Sequence, residues 1–244
     1  MIILSGAAGQ IGSALARKLN EKGFKELILI DSLEDGKKIH NLKDIEFVDY
    51  IDYKDFRTNF LRPDKKIPNV STFFHLGACS STSEWNGEYL MDNNFNYSKE
   101  VLKWCSKSKV KFIYASSASV YGNKSTNFKE EISNEEPINA YAFSKYAFDM
   151  YVRANVDKFN LQVIGLRYFN VYGSGEFHKG DMASPIFQFN RQLIETGKIK
   201  LFGDYGDIKS EDISRDFVHA DDCAAINIWF QENSTNSGIF NVGT

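Results

Sequence analysis

Residues Ser5–Gly12 read SGAAGQIG, between a short apolar run, Met1–Ser5, and an amphipathic stretch, Gln10–Glu21. A spaced glycine triplet in a strand–turn–helix context predicts a dinucleotide site. The first glycine, at position 6, permits the tight turn. Gly9 lets the backbone approach a pyrophosphate, and Gly12 allows the helix to pack closely on the strand. The free N–H groups of the helix N-terminus would bind the pyrophosphate. A Walker P-loop is excluded because no G-K-[ST] follows.

Beyond this turn, short apolar runs alternate with longer amphipathic stretches, which is the pattern of βαβ units. Several runs are apolar at successive positions, as expected for strands that helices cover on both faces. The sequence therefore predicts an α/β fold, a doubly wound parallel sheet of the Rossmann type. The predicted strands are Met1–Ser5, Glu26–Asp31, Glu46–Val48, Thr72–Leu76, Lys111–Ala115 and Gln162–Arg167, and the predicted helices are Gln10–Glu21, Tyr53–Leu61, Asn93–Ser106 and Asn139–Lys158.

After about residue 167 the pattern changes. We predict a Gly- and Tyr-rich site loop, then two further strand–helix pairs and a terminal strand-like run. These segments are the loop Tyr168–Gly180, helix Ser184–Glu195, strand Lys200–Phe202, strand Arg215–His219, helix Ala220–Gln231 and the run Gly238–Thr244. We assign 1–169 to a dinucleotide-binding domain and 170–244 to a smaller substrate-binding part, with 215–236 packing back onto the first. Because a domain seldom stops just after a strand, we expect a missing C-terminal part.

Composition excludes several classes of protein. The 244 residues carry a net charge of −3, with 43% hydrophobic and 25% charged residues, so a basic face for nucleic acid is not expected. Three widely spaced cysteines without a C-x-x-C pair disfavour disulfides and zinc, and no metal-binding spacing of histidines is present. The apolar start is too short for a signal peptide or a membrane span. We expect a soluble cytoplasmic protein with no metal, nucleic-acid or membrane partner.

Asp31 ends the second predicted strand, where an acidic side chain contacts the adenosine ribose. Its carboxylate alone favours NAD, because it repels a 2′-phosphate. Lys37 and Lys38 follow closely and could neutralise that phosphate, or they could simply be solvated. The choice between NAD and NADP stays open from these residues.

A catalytic set is predicted after the fifth strand. Residues 115–122 read ASSASVYG, which places Ser116 and Ser117 at the carboxyl end of a strand, where such sheets bind ligands. Tyr141 and Lys145 follow in YAFSK, four residues apart and so on one helix face. A nearby ammonium and a positively charged nicotinamide lower the pKa of a tyrosine. Tyr141 could then exchange a proton with a substrate hydroxyl while hydride passes to the cofactor.

In this combination and order, the motifs resemble the extended short-chain dehydrogenase/reductase superfamily, the nucleotide-sugar epimerases and dehydratases. The resemblance covers essentially the whole chain. Dehydratases of this group carry an acidic pair just after the strand-end Ser or Thr, where this chain has Ala118 and Ser119, which argues against dehydration. Finer motifs are similar to the family of ADP-L-glycero-D-manno-heptose 6-epimerases. These motifs are HLGACSSTSEW (75–85), MDNN (91–94), RYFNVYG (167–173) and HKGDMAS (178–184).

The resemblance implies NADP as cofactor, action on a nucleotide-activated heptose of lipopolysaccharide core, and homo-oligomers, reportedly pentamers. It implies a catalytic set of Ser117, Tyr141, Lys145 and Lys179. It implies cofactor contacts by Gly6, Gly9, Gln10, Ile11, Gly12, Asp31, Ser32, Lys38, Lys54, Leu76, Gly77, Ala78, Cys79, Ser80, Asn93, Tyr141, Lys145 and Val171. It implies substrate contacts by Ser117, Asn170, Lys179, Asp181, Gln188, Phe202 and Arg215.

Within this picture, Tyr141 and Lys179 would handle a proton on opposite faces of the sugar carbon. Arg215 could bind a pyrophosphate through two parallel hydrogen bonds, although a surface ion pair with Asp216 or Asp212 is an equal alternative. The chain departs from the family pattern at Gln10, Asp181 and Gln188 and in an enlarged loop, 205–214. Two other functions stay open: a nucleotide-sugar 4-epimerase of the UDP-glucose type, and a sensor that binds the dinucleotide without turnover.

Overall fold

The computed structural model describes residues 1–62, 67–124, 126–201, 203, 209, 213–233 and 236–243. Within them, a parallel sheet of seven strands has the order β3-β2-β1-β4-β5-β6-β9, and β7 pairs in parallel with β8 in a separate ribbon. The strands are β1 Ile2–Ser5, β2 Leu27–Asp31, β3 Asp49–Asp52, β4 Thr72–His75, β5 Lys111–Ser117, β6 Val163–Tyr168, β7 Asn170–Tyr172, β8 Phe217–His219 and β9 Gly238–Val242. The predicted Rossmann-type sheet is confirmed.

Helices connect and cover these strands. They are α1 Gln10–Glu21, α2 Tyr53–Asn59, α3 Gly87–Leu90, α4 Tyr97–Ser108, α5 Ala140–Asn155, α6 Pro185–Thr196 and α7 Ala220–Glu232, with a π-helical turn at Met91–Asn96 and a 3-10 segment at Gly36–Asn41. Helix α1 has the predicted bounds. Its Leu15 and Leu19, one turn apart, are fully buried, and each such side chain stabilises the fold by roughly 1.5–3 kcal/mol.

The sheet has a hydrophobic core on each face. One core joins α1 and α7 through residues such as Leu15, Leu19, Ala224 and Ile228. The other joins α4 and α5 to the opposite face, where Trp104 and other aromatic side chains pack on the strands. Strands β1, β2 and β4 are buried at every position. This double coverage explains why the sequence is apolar at successive strand positions.

Some predicted elements are wrong. No strand forms at Glu46–Val48; β3 begins at Asp49 and lies at the sheet edge. Phe47 and Val48 are exposed, so their apolar character does not report a buried strand. The helix predicted from Asn93 is instead the π-helical turn followed by α4. Lys200 and Leu201 are not in a strand, and Phe202 lies outside the described residues, as does most of the 205–214 loop.

The segments after β6 pack back on the first part of the chain. Helix α7 shares its core with α1, and β9 extends the main sheet beside β6, with Ile164 opposite Gly238. The division at residue 169 into two parts stays a prediction. Across the described ranges, the helices are too short or too polar to cross a membrane.

Candidate active site

The glycine turn between β1 and α1 is built as the sequence predicts. Gly6 has a φ of +71°, and a Cβ there would lie 2.6 Å from the backbone nitrogen of Gly77. A Cβ on Gly12 would lie only 2.0 Å from the carbonyl oxygen of Gly6. Gly9 is the N-cap residue of α1, and no side-chain cap bonds to the first N–H groups of this helix within the described residues. The helix N-terminus is thus able to receive an anion.

Asp31 is buried at the end of β2, beside this turn. Its carboxylate accepts hydrogen bonds from the backbone N–H groups of Ala8 and Ser32, both at 2.7 Å. The Lys38 ammonium forms an ion pair with the same carboxylate and donates to the carbonyl oxygen of Ser32 at 2.9 Å. Lys38 therefore compensates the negative charge of Asp31 at the predicted ribose site. Lys37 is exposed.

The segment 173–182 is tied to the glycine turn. The Lys179 ammonium donates to Oε1 of Gln10, the first residue of α1, at 2.5 Å. Asn41 donates to the carbonyl oxygens of Ala8 at 2.9 Å and of Gly175 at 3.1 Å. The segment that contains Lys179 therefore lies against the predicted pyrophosphate site.

The catalytic residues predicted from β5 and α5 lie together. Tyr141 and Lys145 are both buried on the inner face of α5. Ser117 ends β5, and its hydroxyl accepts the Ser119 backbone N–H at 3.2 Å. The Lys145 ammonium donates to the carbonyl oxygen of Ala115, two residues earlier on that strand, at 2.9 Å. Strand β5 thus fixes the serine and the ammonium relative to each other.

The surroundings of Tyr141 raise the pKa of its phenol overall. Burial raises the pKa of Tyr141, while a hydrogen bond from Ser117 lowers it. The lowering that the sequence argument assigned to Lys145 is therefore opposed by burial. Burial lowers the pKa of Lys145 itself to about 8, against the opposite effects of Asp149 and Cys79. Cys79 acts on the pKa of both residues, which places its thiol in the same site.

A π-helical turn holds the segment after β4 at this site. Asn94, within Met91–Asn96, accepts from the Cys79 backbone N–H and donates to the Cys79 carbonyl oxygen, both at 2.9 Å. It also donates to the Ser144 hydroxyl at 3.0 Å. Asn94 thereby joins the Cys79 loop to α5. Single π-helical turns recur at functional sites. Asn94 was not among the residues that the resemblance implied; its neighbour Asn93, which was, donates its amide to Oδ1 of Asn94 at 3.1 Å.

Behind Lys145 lies a buried charged network that sequence reasoning missed. Asp149, one turn further along α5, accepts from Tyr114 at 2.9 Å and Ser116 at 2.8 Å, and twice from Arg167. Arg167 also donates to Glu135 at 2.7 Å. Asp149 and Arg167 are fully buried. The Lys-x-x-x-Asp spacing in 145–149 was the available signal, since it predicts one helix face.

The hydrogen bonds of His75 indicate a structural role. Its ring nitrogens are hydrogen-bonded to the hydroxyls of Ser5 at 2.8 Å and Ser98 at 2.9 Å. Burial lowers the pKa of His75 to about 3. The imidazole is therefore neutral at physiological pH and links β1, β4 and α4.

The remaining predicted site residues are more dispersed. Lys54, Ser80, Asn170, Asp181 and Arg215 are exposed, whereas Ile11, Ser32, Leu76, Gly77, Ala78, Asn93, Val171 and Gln188 are half-buried. Asn170 donates its amide to the carbonyl oxygen of Asp216 at 2.8 Å. Gln188 donates to the carbonyl oxygen of Gly180 at 2.9 Å, which keeps it on the Lys179 segment. Among the described residues, Arg215 donates a hydrogen bond only to the carbonyl oxygen of its neighbour Ser214.

Comparison with known proteins identifies the family and the fold. Residues 2–243 match the model of the NAD dependent epimerase/dehydratase family. The fold is similar to Helicobacter pylori ADP-L-glycero-D-manno-heptose-6-epimerase, with a TM-score of 0.83 and 32% identity over 99% of this chain and 76% of that one. A UDP-N-acetylglucosamine 4-epimerase from Methanobrevibacter ruminantium is similar at a TM-score of 0.82 and 27% identity, over 99% and 76% of the two chains. A Bacillus cereus UDP-glucuronic acid 4-epimerase in complex with NAD is similar at 0.83 and 26%, over 99% and 78%.

These similarities extend over nearly the whole chain, which spans about three quarters of the length of those structures. They share the seven-stranded sheet on which the glycine turn and the Tyr141–Lys145 pair are placed. The chain belongs to the NAD-dependent epimerase/dehydratase family, within the extended short-chain dehydrogenase/reductases.

Proposed function

We propose that this protein inverts the configuration at carbon six of ADP-D-glycero-D-manno-heptose, using bound NADP, for the heptose of lipopolysaccharide core. The observation that carries the chemistry is the placement of Ser117, Tyr141 and Lys145 around the end of β5, two strands along the sheet from β1 and its glycine turn. The similarity to the Helicobacter pylori 6-epimerase supports the choice of sugar.

The residues fit a nicotinamide dinucleotide. At Gly6 and Gly12 the backbone packs so closely that a Cβ would clash with it, as the tight turn of a dinucleotide site requires, and the N-terminus of α1 can receive the pyrophosphate. NADP is supported by the Lys38–Asp31 ion pair, since Lys38 offsets the carboxylate that would repel a 2′-phosphate. When bound, such a dinucleotide would supply the hydride acceptor for oxidation of the sugar carbon and the hydride donor for its re-reduction.

The chain supplies the proton chemistry. Ser117 would hold the reacting sugar oxygen while Tyr141 takes its proton, as a general base does at hydrogen-bond distance. The Lys145 ammonium would favour the phenolate form of Tyr141. Its pKa of about 8 keeps most of Lys145 charged at neutral pH.

Lys179 is proposed as the second acid/base group. Burial lowers its pKa, with an opposite effect from Glu176. The Lys179 ammonium donates its hydrogen bond to the neutral amide of Gln10 rather than to a carboxylate. None of its described contacts is with Tyr141, as expected for a group that acts on the opposite face of the sugar carbon. If Lys179→Ala kept full turnover on the heptose substrate, the two-base mechanism would be refuted.

Substrate contacts are proposed for Asn170, Asp181, Gln188 and Arg215, and for Phe202 outside the described residues. Asn170 begins β7 and Arg215 lies two residues before β8, so both exposed side chains are at the β7–β8 ribbon, where they would meet a sugar nucleotide. We also propose homo-oligomers and a cytoplasmic setting. The latter is supported by the free thiols of Cys79, Cys105 and Cys223, since reducing compartments keep thiols free.

The test is to offer ADP-D-glycero-D-manno-heptose to the protein and follow the L-glycero product by NMR. We expect conversion with the dinucleotide regenerated in each turnover. Turnover of UDP-glucose with none of the heptose would instead establish a 4-epimerase. Tight dinucleotide binding without turnover of either sugar would establish a sensor.

A further inference from the structure

Asp149 and Lys145 lie one turn apart on the same buried face of α5. The Lys145 ammonium donates its hydrogen bond to the neutral carbonyl oxygen of Ala115 rather than to a carboxylate. Burial lowers the pKa of Lys145 to about 8, and the negative charge of Asp149 acts against that lowering. Asp149 therefore favours the charged form of Lys145 without an ion-pair contact.

The other ionisable groups around Lys145 do not supply a carboxylate. The Cys79 thiol acts on the pKa of Lys145 in the same sense as Asp149 but less strongly. His75, from β4, is neutral because burial lowers its pKa to about 3. Tyr141 is a phenol whose pKa is raised by burial. Of the groups that act on Lys145 in the described part of the chain, Asp149 alone has a carboxylate.

The carboxylate of Asp149 is held by side chains from two strands. Its Oδ1 atom accepts from the Tyr114 hydroxyl of β5 at 2.9 Å, and its Oδ2 atom accepts from the Ser116 hydroxyl at 2.8 Å. Oδ2 also accepts from Nε and Nη2 of Arg167, on β6, at 2.9 and 2.8 Å. Burial raises the pKa of Asp149, and these partners lower it. The partners thus fix the carboxylate and favour its ionised form.

Ser116 connects this carboxylate to the reacting end of β5. It lies between Ala115, whose carbonyl oxygen accepts the lysine ammonium, and Ser117, whose hydroxyl is bonded to the phenol. The hydrogen bond from Ser116 to Asp149 therefore holds the backbone from which both neighbours act. Tyr114 bonds to the same carboxylate but lies two residues further from the strand end.

We propose that Asp149 is a positioning residue of the active site, which holds the carboxyl end of β5 through Ser116 and provides the anion for the Lys145 ammonium. This inference rests on the proposed roles of Tyr141 and Lys145. Asp149 was not among the residues that the family resemblance implied. Without its charge, Lys145 would lose its proton at a lower pH, and a neutral amine no longer favours the phenolate of Tyr141.

The first experiment measures the ionisation of Lys145 by NMR. The full chain is labelled with ¹³C at the Cε atoms of lysine, and the chemical shifts are followed as pH is raised. The Lys145 signal is assigned by its absence in Lys145→Met. Asp149→Asn removes the negative charge and keeps the shape of the side chain, whereas Asp149→Glu keeps the charge.

We expect Lys145 to titrate near 8 in wild type. Its pKa should fall by about one pH unit or more in Asp149→Asn and stay within roughly half a unit in Asp149→Glu. Turnover of the nucleotide sugar by Asp149→Asn should fall at least about threefold at pH 7.5, because a smaller fraction of Lys145 is charged. It should approach wild type at pH 6.0, where Lys145 is protonated in both proteins. A purely structural role would give neither the pKa shift nor this recovery.

The second experiment separates the hydrogen bond to the strand end from the charge. Ser116→Ala and Tyr114→Phe each remove one hydrogen bond to Asp149 and leave its carboxylate in place. Ser116→Ala should lower kcat by about tenfold, because the strand end is less well positioned, with KM within twofold. Tyr114→Phe should stay within twofold of wild type for both. Equal effects of the two variants on kcat would overturn the positioning role.

The charge can be tested even if Asp149→Asn does not fold. Combining it with Arg167→Met also removes the guanidinium that would be left buried beside it, while Glu135 keeps Arg153 as its ionic partner. The pKa of the lysine should again fall, since the charges that act on it do not include this guanidinium.

An unchanged Lys145 pKa in the variant that lacks the carboxylate, or an equal fall in Asp149→Glu, would overturn the proposal. A wild type that turns over no nucleotide sugar would refute the proposed function. The NMR titration needs no turnover, so it would still decide whether Asp149 provides the anion for Lys145.

Discussion

At the scale of single residues, Tyr141 is the group on which turnover depends. Tyr141→Phe removes only the hydroxyl that exchanges the proton, so kcat should fall by about 10²–10⁴. Steady-state kinetics with the sugar substrate measure the effect. Tyr146→Phe is the control, since Tyr146 is half-buried on the same helix. A Tyr141→Phe variant within tenfold of wild type would contradict this role.

His75 makes a prediction about stability and pH. Its folded-state pKa of about 3 lies below the ordinary value of 6.5. Between these values the unfolded chain holds a proton that the folded protein lacks, so stability falls as pH falls. From pH 6.5 to 5 the loss attributable to His75 is about 2 kcal/mol. Urea unfolding at both pH values should show a smaller loss in His75→Asn than in wild type or His40→Gln. Equal losses in all three proteins would refute this assignment.

Residue identity and spacing predicted which residues form the candidate site, but not the contacts that hold them. Tyr141, Lys145 and Ser117 could be predicted because their chemistry depends on the type of side chain and on its spacing along the chain. The role of Asn94, and the contact between Lys179 and Gln10, depend on a π-helical turn and on a segment folding back over 160 positions. Neither feature produces a recognisable pattern in the local sequence. The position of Asp31 at the end of β2 was predicted correctly. Its ion pair with Lys38 rather than Lys37 depends on the 3-10 segment Gly36–Asn41, which the sequence did not predict.

At the scale of elements, the turn between β1 and α1 tolerates no side chain at its third glycine. Gly12→Ala would put a Cβ 2.0 Å from the Gly6 carbonyl oxygen. We expect a loss of about 1–3 kcal/mol in the free energy of unfolding, and loss of dinucleotide binding as the turn shifts. Calorimetry and urea unfolding measure both. Gly87→Ala, where a Cβ meets nothing within 4 Å, should behave as wild type; a matching result for Gly12→Ala would disprove the argument.

Helix α5 is anchored to the sheet by Asp149. Asp149→Ala leaves Arg167 buried with only Glu135 as an ionic partner, and breaking a buried pair costs about 3–5 kcal/mol. Urea unfolding should show a loss in this range. Asp92→Ala breaks an exposed pair with Arg57 and should cost at most about 1 kcal/mol. Similar losses in the two variants would show that burial of the network is energetically unimportant.

At the scale of the whole molecule, the dinucleotide should stabilise the entire fold, because its predicted contacts come from β1, β2, β4, α1 and α5. At one hundred times its Kd, a ligand that binds only the folded state adds about 2.7 kcal/mol. For a chain of this size that corresponds to a rise in Tm of roughly 5–10 °C. Differential scanning calorimetry with and without NADP measures it. Gly12→Ala should show no rise, and a wild type with no rise would contradict the dinucleotide site.

The architecture as a whole could be predicted from sequence, since alternation of apolar runs with amphipathic stretches reports burial directly. The prediction failed at the edge strand of the sheet. Strand β3 is half-exposed and polar, so hydrophobicity selected its exposed neighbours Phe47 and Val48 instead. The pairing of β9 with β6 is a contact between distant parts of the chain, and no local propensity encodes it.

The sheet order has a consequence for how the protein is made. Among the strands of this sheet β1 is synthesised first, yet it lies inside the sheet, and one of its two partners follows 70 residues later, with Ile2 opposite Thr72. At about 5–20 residues per second, the nascent chain carries this apolar strand half-paired for roughly 4–14 s. During that interval the unpaired edge of β1 is a site at which nascent chains could aggregate.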